Sequence, residues 1–323
     1  MRAKVAAQAE SLPDERFRHE ALFYAGDDQF VEACVAFIRA GLEADEPTLV
    51  VALADKLEKL RGALGPDAER VQFADMDVVG RNPARIIPAW QEFVEENAEP
   101  GVRLRGIGEP IFPARDPHEL VECERHEALL NLAFAGADRF WLMCPYDTEA
   151  LPAPVIAEAK RNHPFVAHGE HRELSADYLG AEAISQPFAD ELPEPQGPAQ
   201  ELRFGHGGLH QVRCFVAEHA RAAGLGAGRA NDLVVAVNEI ATNSIEHGGG
   251  SGALRLWREG RRVVSEVRDA GRLDDPLADR RLPGPGDHAG RGLWLANQLC
   301  DLVQVRSFPG EFVVRLHVLP ERA

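Results

Sequence analysis

The stretch NEIATNSIEHG, residues 238–248, puts Glu239, Asn243 and His247 at intervals of four, the spacing that stacks side chains on one face of a helix. A second stripe accompanies it: Leu233, Val237, Ile240 and Ser244, with Val234, Ala241 and Ile245 beside them, suits packing against a sheet. A helix over about 229–247 therefore has one face for a core and a polar row that packing does not require. Taken alone, such a row is a solvated face ended by Gly248 as a C-cap. The motifs that follow it give the row a second meaning.

Upstream, a helical segment near 207–223 leads through a Gly-rich turn, GLGAG, into this helix. Downstream, ALRLWREG and RRVVSEVRDAG read as an antiparallel pair joined at Glu259-Gly260, RGLWLANQLC as another helix, and LVQVRSFPGEFVVRLHV as a closing hairpin turning at Pro309-Gly310. Helices over one face of a mixed sheet make an α/β sandwich. In RDAG, 268–271, Asp269 follows a strand and precedes a Gly turn, where a carboxylate can accept hydrogen bonds from an amino group. In GRGLWLAN, 290–297, Gly290 and Gly292 open a helix, where backbone N–H groups and the helix dipole favour phosphate. Each motif is weak by itself; the ordered trio is much less easily reached by chance.

The order E-x-x-x-N-x-x-x-H, D-x-G, G-x-G-L resembles the GHKL ATPases, the group containing gyrase, Hsp90 and histidine kinases, and NEIATNSIEHG looks closest to the anti-sigma factor serine kinases. That resemblance implies roles for matching positions. Asn243 would hold Mg2+ bridging the phosphates of ATP, and Glu239 would be the catalytic base that polarises the attacking hydroxyl. Asp269 and Gly271 would seat adenine, and Gly290 with Gly292 would cradle phosphate. Arg291, Leu293 and His247 complete the implied nucleotide-binding set, with His247 either touching nucleotide or capping the helix beside Gly248. Phosphoryl transfer asks for charge neutralisation and an aligned nucleophile, which these residues supply. The family pattern D-x-G-x-G is broken by Leu273 at its second Gly, so that loop is expected to take a different backbone path. The segment 274–290 is then the candidate ATP lid.

The first half of the chain reads differently. PTLVVAL (47–53), VRLRGIGEP (102–110), RFWLMCPYD (139–147) and ALFY (21–24) look like buried strands, and the amphipathic runs between them like helices. Such alternation implies parallel strands crossed over by helices, an α/β layer fold. RHEALFYAGDDQFVEACVAFIRAGLEADEPTLVVAL, LRGIGEPIF, RHEALLNLAF and CPYD resemble the MEDS sensory domain, which implies a RecA-like fold adapted to sensing. No G-x-x-x-x-G-K-[ST] is present, so an ordinary phosphate loop is not expected. In a parallel sheet, ligands bind beyond the C-terminal strand ends, here near Asp55, Glu109 and 144–147. Glu109, Cys144, Tyr146 and His19 are the pocket candidates for an unknown signal or small ligand. His163, His168 and His171, and Cys123 with His126, offer metal-ligating types without a firm ligand pattern.

The 323 residues exceed what one core usually organises, and Pro, acidic and small residues concentrate at 184–201. The expected division is a MEDS-like sensory domain at 16–168, a linker at 169–199 and a GHKL domain at 200–320. A net charge of -17 argues against direct nucleic-acid binding. Five scattered cysteines without a C-x-x-C pair suit a reducing cytosol. The N-terminal stretch lacks an apolar signal core, and no apolar run approaches the about 20 residues a membrane helix needs, so a cytoplasmic protein is expected. The resemblances imply an ATP- and Mg2+-dependent anti-sigma serine/threonine kinase under a sensory domain, with a sigma factor and a STAS-type antagonist as partners. Members of that ATPase branch commonly pair, which admits a homodimer. Two other outcomes stay open: a partner-binding switch with a degraded ATP site, and a sensor histidine kinase.

Overall fold

The structure, a computed structural model, describes residues 16–137, 139–169, 171–185, 191–281 and 291–321. Its elements run β1 (Arg18–Tyr24), α1 (Gly26–Glu43), β2 (Thr48–Ala52), α2 (Ala54–Leu64), β3 (Gln72–Asp75), α3 (Met76–Val79), α4 (Ile86–Asn97), β4 (Leu104–Gly108), α5 (Pro117–Ala133), β5 (Phe140–Asp147), α6 (Ala153–Asn162), β6 (Phe165–His168) and β7 (His171–Leu174). Then follow α7 (Glu182–Ser185), β8 (Gln200–Gly205), α8 (Leu209–Ala222), α9 (Ala227–Glu246), β9 (Ser251–Glu259), β10 (Arg262–Asp269), α10 (Arg291–Leu299), β11 (Leu302–Phe308) and β12 (Glu311–Val318). The chain divides into two compact units. One holds residues up to 75, 92–113 and 130–178; the other holds 76–91, 114–129 and 179 onward.

The first unit is a seven-stranded sheet in the order β3-β2-β4-β5-β1-β6-β7. Every pairing is parallel except β6 with β7. Parallel strands are covered on both faces and so read as near-continuous apolar runs; β2 and β4 are buried throughout. These are the strands the sequence announces. The sequence does not announce β3, β6 and β7, which are four residues each; β3 and β7 are exposed or half-buried at the two edges of the sheet, and β6 lies beside β7 with Val166 and Ala167 buried. β7 falls within 169–199.

The second unit is built on a five-stranded sheet ordered β11-β12-β10-β9-β8. The sequence suggests a mixed sheet; all four pairings are antiparallel. Two-residue links explain two of the four, because Glu259 pairs with Arg262 and Phe308 with Glu311, and only antiparallel strands can be joined so closely. The first turn is thus Gly260-Arg261, with φ +56 at Gly260, and the second is Pro309-Gly310, with φ +81 at Gly310. Helices α8, α9 and α10 bury Val212, Val216, Leu233, Val237, Ile240 and Leu293 against Leu254, Leu256, Val267, Val314 and Leu316.

The opposite face of this sheet is polar and occupied. On it Glu266 accepts from Arg255, Arg268 and Arg315. Glu194 pairs with Arg255 at 2.7 Å, and Arg315 donates to the Pro193 carbonyl. Residues 114–129 cover more of it: Arg262 pairs with Asp116 and Glu119, and Arg306 with Glu122 at 2.9 Å. Among the described residues, no helix is long and apolar enough to cross a membrane.

Candidate functional site

α9 positions the polar row. Its N-cap Gly226 is extended, and Leu233, Ala236, Val237, Ile240 and Ala241 are buried, which fixes the rotation of the helix and leaves Glu239 and Asn243 half-buried on the neighbouring face. That face meets the start of α10. A Cβ on Gly292 would lie 2.7 Å from Asn243 Nδ2 and 3.3 Å from Glu239 Cβ, so glycine there lets α10 begin against the row without displacing the Asn243 amide. Arg291, the first residue of α10, is exposed, and Leu293 is buried. Gly290 and the lid residues 282–290 lie outside the described residues.

The row changes character at its end. His247 is the C-cap of α9, its side chain is 70% exposed, and its nearest carboxylate is Glu246 at 3.9 Å. Gly248, expected to cap the helix, serves otherwise: the positive φ values fall on Gly249 and Gly250, while Gly248 makes room for Asp269. A Cβ there would stand 2.5 Å from the Asp269 carboxyl and 2.8 Å from the Ser244 carbonyl.

Asp269 closes β10; its carboxylate is held by two groups and the strand end by a third bond. Ser244 Oγ donates to Oδ2 at 2.6 Å, Gly271 N–H donates to Oδ1 at 2.7 Å, and Ala270 N–H ties the strand end to the Gly248 carbonyl at 3.2 Å. Ser244 belongs to the apolar stripe by spacing, yet its hydroxyl orients the carboxylate. Each Asp269 oxygen keeps acceptor capacity, because an ionised carboxylate offers about four lone-pair sites.

The carboxylate borders a cavity of about 290 Å3 whose wall includes Asn243, Asp269, Gly271, Leu273, Leu293 and Phe312. His247 also touches it. That volume is at the small end of ligand pockets, which begin near roughly 300 Å3, and suits a flat heteroaromatic ring set against Leu273, Leu293 and Phe312, with Asp269 as an acceptor and Arg272, Asp274 and Asp275 on the polar side of the wall. The residues present therefore fit the purine end of ATP, and Asn243 is the amide available to hold Mg2+. Leu273 takes no left-handed conformation; its side chain packs on the core and its N–H donates to Ser307 Oγ at 3.1 Å.

The described part of the candidate lid is anchored. Leu277 and Arg280 are fully buried, and Asn297 Nδ2 of α10 donates to the Asp279 carbonyl at 2.8 Å. Asn82 in turn donates to Asn297 Oδ1 at 2.9 Å, and Arg280 faces Glu122 at 3.5 Å. Sequence spacing points to none of Ser244, Phe312, Asn297 or Asn82. Ser244, Phe312 and Asn297 are polar or aromatic residues on core-facing positions of their elements, and Asn82 caps the turn at Pro83 by accepting from Ala84 N–H, so their roles are legible only once their partners are known.

In the first unit the pocket candidates separate. Tyr24 donates to Glu109 at 2.8 Å, and Lys56 donates to both. Burial pushes the Glu109 carboxyl up, against the opposing pull of Lys56. Asp55 sits nearby in the first turn of α2. His19 and Cys144 lie on the other face of the sheet, because strand residues alternate and Ala21 registers with Cys144. Tyr146 shares that face. Of the three histidines in HPFVAHGEH, His163 is buried and His168 and His171 are exposed. Cys123 and His126 are both buried in the second unit, and burial pushes the Cys123 thiol up to about 12.

Residues 18–164 match the family described as MEDS, methanogen/methylotroph, DcmR sensory domain, and residues 207–318 match the histidine kinase-like ATPase domain. Among solved structures, the RsbU and RsbW domains of Rv1364c from Mycobacterium tuberculosis align at 18% identity over 39% of this chain and 34% of that one, with a TM-score of 0.31. The histidine kinase AdeS of Acinetobacter baumannii aligns at 8% identity over 39% of this chain and 71% of that one, with a TM-score of 0.22. The chain thus spans about a third of the length of the first of these. No curated protein matches the chain.

Proposed function

We propose that this chain, a MEDS domain followed by a histidine kinase-like ATPase domain, is a signal-controlled anti-sigma factor kinase that phosphorylates serine or threonine on a STAS-type antagonist protein. The observation that carries the reading is the juxtaposition of Asn243 with Asp269 on one cavity, with Glu239 one helical turn before Asn243 on the same face. Asp269, fixed by Ser244 and Gly271, accepts a hydrogen bond from the exocyclic amino group of adenine. Leu293 and Phe312 cover the ring. Asn243 would hold Mg2+, which when bound would neutralise phosphate charge. Glu239 accepts the proton of the attacking hydroxyl.

The domain family also includes histidine kinases; of the three histidines to weigh as a phosphoacceptor, His210 on α8 is exposed but its helix lacks the Pro-containing context usual there. His126 is buried, and His219 on α8 is half-buried with its pKa lowered by that burial. The degraded-site alternative rests on Leu273, which packs into the wall of the cavity without filling it.

The test is to incubate the chain with labelled Mg-ATP and candidate antagonist proteins and to locate phosphate by mass spectrometry. Phosphoserine or phosphothreonine on the antagonist is expected, reduced by about 10²–10⁴ in rate in Glu239→Ala and lost in Asn243→Ala. Transfer that persists in both variants contradicts the site. Phosphohistidine on the chain itself supports the histidine kinase alternative, and binding of a partner without nucleotide supports the switch.

A further inference from the structure

His19, Cys144 and His163 gather on one face of the first unit's sheet. β1 carries His19, β5 carries Cys144, and His163 ends α6 just before β6, which pairs with β1 on its other side. All three side chains are buried. Cys144 Sγ lies 3.4 Å from His19 Nε2, the two imidazole centroids are 4.0 Å apart, and one ligand atom from each residue falls within 4.8 Å of the others.

The rings are also oriented. His19 Nδ1 lies 3.2 Å from Asn131 Oδ1, and Asn131 Nδ2 donates to the Asn162 carbonyl at 2.8 Å, which turns the amide oxygen toward the ring. His163 Nδ1 lies 2.8 Å from the Ala159 carbonyl. Both acceptors require an N–H at Nδ1, so each neutral ring presents its Nε2 lone pair. Fixing the tautomer through the far nitrogen is how proteins orient metal-binding imidazoles. The spacing agrees: bonds of about 2.0–2.3 Å to N and S in a tetrahedron put those donors about 3.5 Å apart. Phe17 stacks on His19 with ring centroids 5.7 Å apart and Tyr146 meets His163 edge-on at 5.6 Å, aromatic walls that limit the access of bulk water to the ion.

We propose that His19 Nε2, His163 Nε2 and the Cys144 thiolate bind one zinc-class divalent transition-metal ion, with a further donor from outside this trio. Binding releases the Cys144 proton to solvent, since the thiolate is the ligand form. Asn131 is a positioning residue, holding His19 in the ligating tautomer.

Cobalt serves as the probe. The full chain, stripped with chelator, is titrated with Co2+. One equivalent is expected to give a thiolate-to-cobalt charge-transfer band in the near ultraviolet with tetrahedral visible bands, all displaced by Zn2+. Cys144→Ser removes the charge-transfer band, whereas Cys214→Ser, at an exposed cysteine of the second unit, keeps it. Asn131→Ala keeps the band but weakens Co2+ binding by about 10- to 100-fold. If Cys144→Ser does not fold, the Asn131→Ala and Cys214→Ser pair decides. No band in the unsubstituted chain, a band unchanged in Cys144→Ser, or equal affinity in Asn131→Ala overturns the proposal.

Discussion

Ser244 shows what spacing alone cannot reveal. It sits where a core residue belongs and is buried, yet its hydroxyl holds Asp269 at 2.6 Å. Ser244→Ala removes one charge-assisted bond from a carboxylate that still has Gly271 N–H, so nucleotide affinity is expected to fall by about tenfold, with the fold intact, in a fluorescent-nucleotide titration. Gly248→Ala is expected to be worse. Its methyl would meet both the Asp269 carboxyl and backbone, and overpacking of this kind costs about 1–3 kcal/mol, read as a lowered denaturation midpoint. Glu239, Asn243 and Asp269 are legible as candidates because their order along the chain matches the motifs that carry the resemblance. Ser244 and Gly248 are not, since their roles exist only where α9 meets the end of β10.

Elements extend the same lesson. The strands buried on both faces announced themselves as apolar runs, while β8 did not, because QELRFG is half charged or exposed and lies at a sheet edge. Nor did the sequence reveal that residues 114–129 pair with the ATPase-type sheet. Glu122 there meets Arg306 at 2.9 Å and faces Arg125 and Arg280, so Glu122→Gln leaves buried guanidinium groups without their shared carboxylate. Breaking a buried pair in this way costs about 3–5 kcal/mol, measurable by urea unfolding. On the same face Glu266 is pulled two ways: burial alone would raise its pKa, but Arg268, Arg315 and Arg255 outweigh burial and hold it below the ordinary value. A depressed folded pKa contributes stability that is present above the unfolded value, about 4.3, and is lost as pH falls through the folded one. Glu266→Gln is therefore expected to flatten the loss of stability below about pH 4, in denaturant midpoints taken across that range.

At the scale of the molecule, the composition shift at 184–201 suggests a cut near 200, yet the compact unit around the ATPase-type sheet also takes in 76–91 and 114–129. Residues 200–320 expressed alone would lack Glu122, Asn82 and Glu194, leaving Arg280 and Arg306 without Glu122, Asn297 without Asn82, and Arg255 and Arg268 without Glu194. That piece is expected to unfold at a lower temperature than the whole chain and to bind nucleotide more weakly, because Asn82 steadies α10 through Asn297 and α10 bears on the cavity. An equal melting temperature would favour the simpler division at 200. The central claim is that Glu239, Asn243 and Asp269 form a nucleotide site, and calorimetric titration of the whole chain with Mg-ATP tests it most directly. The unsubstituted chain is expected to bind one nucleotide, and Asp269→Asn to bind it about 10- to 100-fold more weakly while melting at a similar temperature. Equal affinity in the two proteins, or no binding by either, contradicts the account.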